Sequence, residues 1–224
     1  MKLPAFQQVL LAFLVFIIAM LVCRILYSGS PRFIFLLWNL FLAWIPFRLV
    51  LYLSCCKNQG WRSWLLLAGW LLFFPNALYI ITDLVHLETK TNVPVWYDAV
   101  LLFIAAFAGL MMAFASLYKV ELFFGKQFNK SIANKVVIGC LVLGSFGVYL
   151  GRFLRWNSWD IIADPLQLAI EIGERFLSPL DHYRTWFITM LFTCFFGLLY
   201  FSIRKLPARF ISPVNNSNAI SGSQ

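Results

Sequence analysis

The 224 residues are 62% hydrophobic and only 12% charged, with a mean hydropathy of +0.81, more apolar surface than a soluble domain of this size can hide in one core. A bilayer-spanning helix consumes roughly 20 residues, so spans and short connections account for most of the chain and leave no room for a soluble domain. The formal net charge of +9 therefore has no basic domain to reside in, which excludes nucleic acid as a partner and points to anchoring against anionic membrane lipid.

Apolar runs predict an all-α polytopic membrane bundle of about six transmembrane helices, over residues 5–27, 33–54, 63–84, 95–118, 136–154 and 186–203. They form a single domain over 1–211, and the Ser- and Asn-rich remainder, 212–224, is expected to be a disordered tail. In the first span, Lys2 precedes the apolar run as in a secretory signal. The run is long, however, holds Arg24 only near its end and has no small-x-small cleavage site, so a retained helix is expected. The second span carries Asn39, placed to bond across helices, together with Pro46 and Arg48, the last close enough to the helix end to snorkel.

The third span has Pro75 near its middle, where a missing N–H and a displaced carbonyl predict a kink. Asn76, Tyr79, Asp83 and His86 follow at steps of three, four and three, a polar stripe from mid-membrane to one surface. A stripe facing lipid would be costly, so it should face the bundle interior or a wet cavity. Broken helices at this depth mark substrate sites in some transporters, and they also occur as purely structural kinks. Asp98, at the start of the fourth span, is a second acid at the same end.

In the fifth span Cys140, Gly144, Gly147 and Gly151 make a small-residue face suited to close helix packing. Arg152, Arg155 and Trp156 follow, with Asn157 and Asp160 just beyond. One reading is an interfacial aromatic belt with arginines on lipid phosphates; the other is an anion pocket in which Arg152 and Arg155 hold a phosphate-bearing ligand and Asp83 or Asp98 orients Arg152. Next, Asp164-Pro165-Leu166-Gln167 has the form of a helix start, and residues 166–177 make a short amphipathic helix, expected at the membrane interface or over the bundle mouth.

With the N-terminus inside, Lys2, Lys57, Arg62, Lys119, Lys126, Lys130, Lys135, Arg204, Lys205 and Arg209 fall on the cytoplasmic side, opposed there only by Glu121. The other side receives seven basic residues among most of the acids, so both termini are expected in the cytoplasm. Cys23, Cys55, Cys56, Cys140 and Cys194 make no zinc or disulfide spacing, and Cys140 and Cys194 are expected to pack inside spans. Asp83, His86, Glu88 and Asp98, with His182 on the longer loop, lack a paired-histidine motif, so neither a metal nor a cofactor is expected.

The phrases F-F-P-N-A-L-Y-I-I-T-D-L at 73–84 and G-R-F-L-R-W-N-S-W-D at 151–160, with Trp96-Tyr97-Asp98 and Trp38-Asn39, resemble an uncharacterised bacterial integral membrane family, domain of unknown function 1361. The resemblance implies a multi-pass protein of a bacterial inner membrane and supplies no role for any residue. The sequence thus supports a non-enzymatic binding, transport or assembly factor with an outward-facing polar cavity. The alternative is a membrane-embedded enzyme acting on a lipid or lipid-linked substrate at the outer interface. Oligomeric state is left open.

Overall fold

The computed structural model of the chain describes residues 5–55, 60–87, 92–156 and 163–210. The expected tail from Ser212 onward lies outside the described residues, as does Glu88. The chain is all-helical over what is described: α1 Ala5–Ser28, α2 Phe35–Cys55, α3 Trp61–Tyr79 continued by a 3-10 helix Ile80–His86, α4 Val95–Gln127, α5 Lys130–Phe153, α6 Pro165–Leu177 and α7 Tyr183–Phe210. Six helical stretches are long and apolar enough to cross a membrane, and the chain is a multi-pass membrane protein. In hydrocarbon a backbone must satisfy its own polar groups, which makes continuous helices the only open-ended solution for such runs.

The end of the bundle where α1 leads into α2 is called here the upper end. The alternation of spans then puts the starts of α4 and α7 and the ends of the 3-10 helix and α5 at that same end. α4 is the central helix, packed against α1, α2, α3, the 3-10 helix and α5. Two thirds of its most apolar window is buried (67%), against 22% for α1 and 17% for α7, so those two sit on the outside of the bundle. α3 packs between α2 and α5, and α7 packs along α5.

The span boundaries differ from the sequence reading at the lower end. α4 runs to Gln127, not 118; at 1.5 Å per residue its 33 residues reach about 50 Å, well past a hydrocarbon core of about 30 Å. The extension is stabilised by Glu121, whose carboxylate receives Tyr200 Oη at 2.5 Å and pairs with Arg204 at 2.5 Å. Arg204 in turn donates to Asn134 Oδ1 at 3.3 Å, so α4, α5 and α7 are joined by one polar cluster centred on the buried Glu121. That cluster also carries α7 beyond the residue at which its apolar run stops. Cys140 is buried as expected, whereas Cys194 is exposed on the lipid-facing side of α7 and does not pack inside the bundle.

α6 starts as its sequence suggests, with Pro165 in the first turn and the Asp164 carboxylate accepting from Gln167 N at 3.2 Å. Its apolar residues Leu166, Ile170, Phe176 and Leu177 are exposed, while Arg175 is buried, pairs with Glu171 at 3.3 Å and also reaches the Glu171 carbonyl. Trp186 ties α6 to α7 by donating to the Arg175 carbonyl at 3.3 Å and by an edge contact with Phe176.

Candidate functional site

The small-residue face of α5 is what brings α3 close. A Cβ placed on Gly147 would lie 2.5 Å from Pro75 Cγ, and one on Gly144 2.8 Å from Phe74, so only glycine permits this approach. On the opposite side, Gly109 of α4 receives Ile80, whose Cδ1 would stand 2.7 Å from a Cβ there. α3 continues as α-helix through Pro75 to Tyr79, and the change of structure falls downstream, where the chain tightens into the 3-10 helix. Thr82 Oγ donating to the Tyr79 carbonyl at 2.7 Å supports that first turn.

The tightening sets the geometry of the polar stripe. In an α-helix, residues three apart are offset by about 60° around the axis, whereas in a 3-10 helix they eclipse. Asp83 and His86 therefore point the same way, and both meet Arg152 of α5. Arg152 Nη1 lies 3.7 Å from Asp83 Oδ1, donates to Tyr79 Oη at 3.1 Å, and stands 3.3 Å from His86 Nε2. Nη2 is 3.4 Å from the same ring nitrogen. A guanidinium has only donors, so Nε2 is the acceptor wherever it bonds Arg152. From the other side Asn39 of α2 donates to Asp83 Oδ2 at 2.7 Å. The chain Asn39–Asp83–Arg152 thus crosses from α2 through the 3-10 helix to α5, with Asp83 1% exposed at its centre.

This chain borders a cavity of about 270 Å³ in the upper half of the bundle, lined by Phe35, Trp38, Asn39 and Leu42 of α2, Asn76 and Tyr79 of α3, Asp83 and His86 of the 3-10 helix, and Gly151 and Trp156 at the end of α5. It lies over the face of α3 that looks away from α4, between α2 and α5. Trp38 is 53% exposed, so the α2 wall of the cavity is also a lipid-facing surface. His86 meets Phe35 edge-on with ring centroids 5.3 Å apart. The lining combines aromatic faces with amide, carboxylate and imidazole groups, a composition suited to a polar molecule carrying apolar surface.

Of the residues expected around a cavity, Asn76, Tyr79, Asp83, His86 and Trp156 line it and Arg152 stands directly behind it. Three corrections follow. Asp98 is elsewhere: Arg24 of α1 takes both its oxygens, Nε to Oδ1 at 2.8 Å and Nη2 to Oδ2 at 3.1 Å, while the carboxylate beside Arg152 is that of Asp83. Arg155 does not extend the Arg152 face, because α5 ends at Phe153 and the chain turns through Arg155 in the left-handed region, with φ at 61°. That turn lets Trp156 N reach back to the Leu150 carbonyl and folds the indole over the cavity, while Arg155 is exposed. Finally, Arg152 does not aim its fork into the cavity; its remaining surface borders a separate apolar groove with Val85, Phe192 and Phe195. Asn157 and Asp160 lie outside the described residues.

Sequence reasoning missed the contributions of Phe35, Trp38 and Leu42, although their spacing about Asn39 puts all of them on one side of α2. It also missed two ion pairs, Arg24 with Asp98 and Glu121 with Arg204, each signalled by an isolated charge within an apolar run. Among the described residues no three His, Cys, Asp or Glu side chains gather as metal ligands. His182 does not line this cavity and borders a separate depression with Tyr149 and Asp181.

A family model described as Protein of unknown function (DUF1361) matches residues 38–199, from α2 into α7. No curated protein and no solved structure matches the chain.

Proposed function

The chain belongs to that family of proteins of unknown function, and on this footing we propose that it is a non-enzymatic binding factor that holds the polar head of a lipid or lipid-linked molecule in the cavity between α2, α3 and α5. In this reading both termini are in the cytoplasm of a bacterial inner membrane, and the cavity belongs to the outer leaflet. The observation that carries it is the Asn39–Asp83–Arg152 chain beside an aromatic-walled cavity whose α2 rim faces lipid. Those polar groups brace the walls, and the Trp38 and Trp156 rings supply faces for the ligand.

Binding is favoured over catalysis because the groups that would act as base or acid are already engaged with one another. Both Asp83 oxygens have partners, and the His86 Nε2 lone pair faces Arg152. Binding is favoured over transport because apolar side chains, Phe74, Ala106, Leu110 and Leu141 among them, fill the bundle core between this cavity and the Glu121 cluster at the lower end. One observation supports an enzyme as the second reading: Asp83 and His86 each lie within 4 Å of Arg152, the kind of clustering that acid-base chemistry on a lipid-linked substrate requires.

Mass spectrometry of lipids carried through purification tests the proposal. The wild type should retain one headgroup class in near-equal molar amount, and Trp156→Ala and Asn76→Ala should lose it at unchanged protein yield. Identical lipid content in all three proteins would remove the cavity from consideration. Loss of lipid without accumulation of any modified lipid in a deletion strain separates binding from catalysis.

A further inference from the structure

A second cavity lies on the other face of α2, toward α1, and shares no lining residue with the first. α1 touches α2 and the turn that leads into it at two levels. Near the upper end, Arg24 stands over the Phe33 ring at 4.5 Å; near the lower end, Phe6 meets Phe47 with centroids 5.5 Å apart. Between these levels the helices separate and leave a slot of about 620 Å³ floored by Ala108 and Met112 of α4. The slot is within the range of small-molecule sites, about 300–1,000 Å³. Its walls are apolar, among them Leu14 and Ile18 of α1 and Leu40 of α2, and its polar residues are Gln7 and Arg48, toward the lower end.

Arg48 differs from the other arginines that sit among packed helices. Arg24, Arg152, Arg175 and Arg204 each hold a carboxylate. Among the described residues no carboxylate pairs with Arg48; it lies 5.2 Å from the centroids of both the Trp44 and Tyr52 rings and donates to Tyr52 Oη at 3.2 Å. The aromatic pair fixes the guanidinium and neutralises none of its charge. The same end of the bundle carries Arg62, Lys119, Lys126, Lys130 and Lys135, a field that draws anionic headgroups. An apolar slot ending at an unneutralised planar cation is complementary to a molecule with an apolar chain and an anionic head.

We propose that the slot between α1 and α2 holds one acyl chain of an anionic phospholipid whose phosphate is gripped by Arg48. Simple snorkelling of Arg48 to the membrane surface would leave the slot to whatever chain passes by. The proposal instead requires head and chain to be recognised together, and it stands independently of the upper cavity.

The test is native mass spectrometry of the full chain, released from detergent micelles after titration with phosphatidylglycerol or phosphatidylcholine of identical chains. Wild type should retain phosphatidylglycerol about tenfold better, because the choline cation of phosphatidylcholine offsets the charge of the phosphate that Arg48 grips. Arg48→Gln should abolish the preference, and Arg48→Lys should keep part of it. Leu14→Trp, which fills the slot from the outer helix and leaves Arg48 untouched, should reduce retention of both lipids. Equal retention of the two lipids by wild type, a preference that survives Arg48→Gln, or retention unaffected by Leu14→Trp would each overturn the proposal.

Discussion

Arg24 near the end of α1 grips Asp98 in the first turn of α4 through both carboxylate oxygens, with neither side chain more than 2% exposed. The pair is the polar attachment of an otherwise apolar outer helix, and Tyr97 reinforces it by donating to the Met20 carbonyl at 2.8 Å. Removing one partner strands a desolvated charge, so Asp98→Asn or Arg24→Gln should cost about 3–5 kcal/mol. Replacing both with Met and Leu should cost much less, because nothing charged is left buried. Thermal unfolding in detergent, followed by size-exclusion fluorescence, measures the difference; equal losses for single and double variants would contradict the assignment.

Close packing of α3 on α5 predicts a steep size limit at Gly147. Alanine there puts its Cβ 2.5 Å from the Pro75 ring, which has no rotamer to yield with, and should destabilise by about 1–3 kcal/mol. Pro75→Ala in the same chain should recover part of that loss. Gly139, with nothing within 4 Å of its would-be Cβ, is the control: Gly139→Ala should be neutral or gain up to about 1 kcal/mol from helix propensity.

Arg152 and Arg155, three residues apart, should respond oppositely. Arg152→Ala removes the counterion of Asp83 and the donors to Tyr79 and His86, and should lower stability by about 1–3 kcal/mol. Arg155→Gly relieves a left-handed backbone, worth roughly 1 kcal/mol, and should be neutral to stabilising. Parallel melting curves decide the matter, and a loss at Arg155 equal to that at Arg152 would show that the exposed guanidinium has a role of its own.

At the lower end, Tyr200→Phe leaves the buried Glu121 carboxylate one donor short and should cost about 1.5–3 kcal/mol, the range for hydrogen bonds to charged groups. Cleavage by a protease added to the purified protein should rise first in α7, since this cluster joins its lower end to α4 and α5. Unaltered melting and cleavage would mean that packing along α5 alone holds the helix.

The spans were legible because six apolar runs of sufficient length leave little else for the chain to do in lipid. The stripe from Asn76 to His86 was legible too, since steps of three and four hold one face in any right-handed helix. What the spacing does not encode is the switch to 3-10 geometry after Tyr79, which brings Asp83 and His86 into register. Arg155 was misplaced for a related reason: periodicity continues a helix through Trp156, but the chain turns left-handed at a residue with no glycine to announce it. The partners of Arg24 and Glu121, 74 and 83 residues away, are set by which helices become neighbours, and composition carries no record of that.

Two glycines on different helices act as a latch for the screw pitch of α3. Gly147 seats Pro75 and Gly109 seats Ile80, so the residues flanking the change of pitch are each pressed into a neighbour. Were the seven residues from Ile80 to His86 to relax to α-geometry, the segment would shorten by about 3.5 Å and His86 would swing by about a third of a revolution relative to Ile80. Such a corkscrew motion would carry the imidazole away from Arg152, and it requires α4 and α5 to part first. The alignment of the upper polar groups therefore leans on two absent side chains on neighbouring helices.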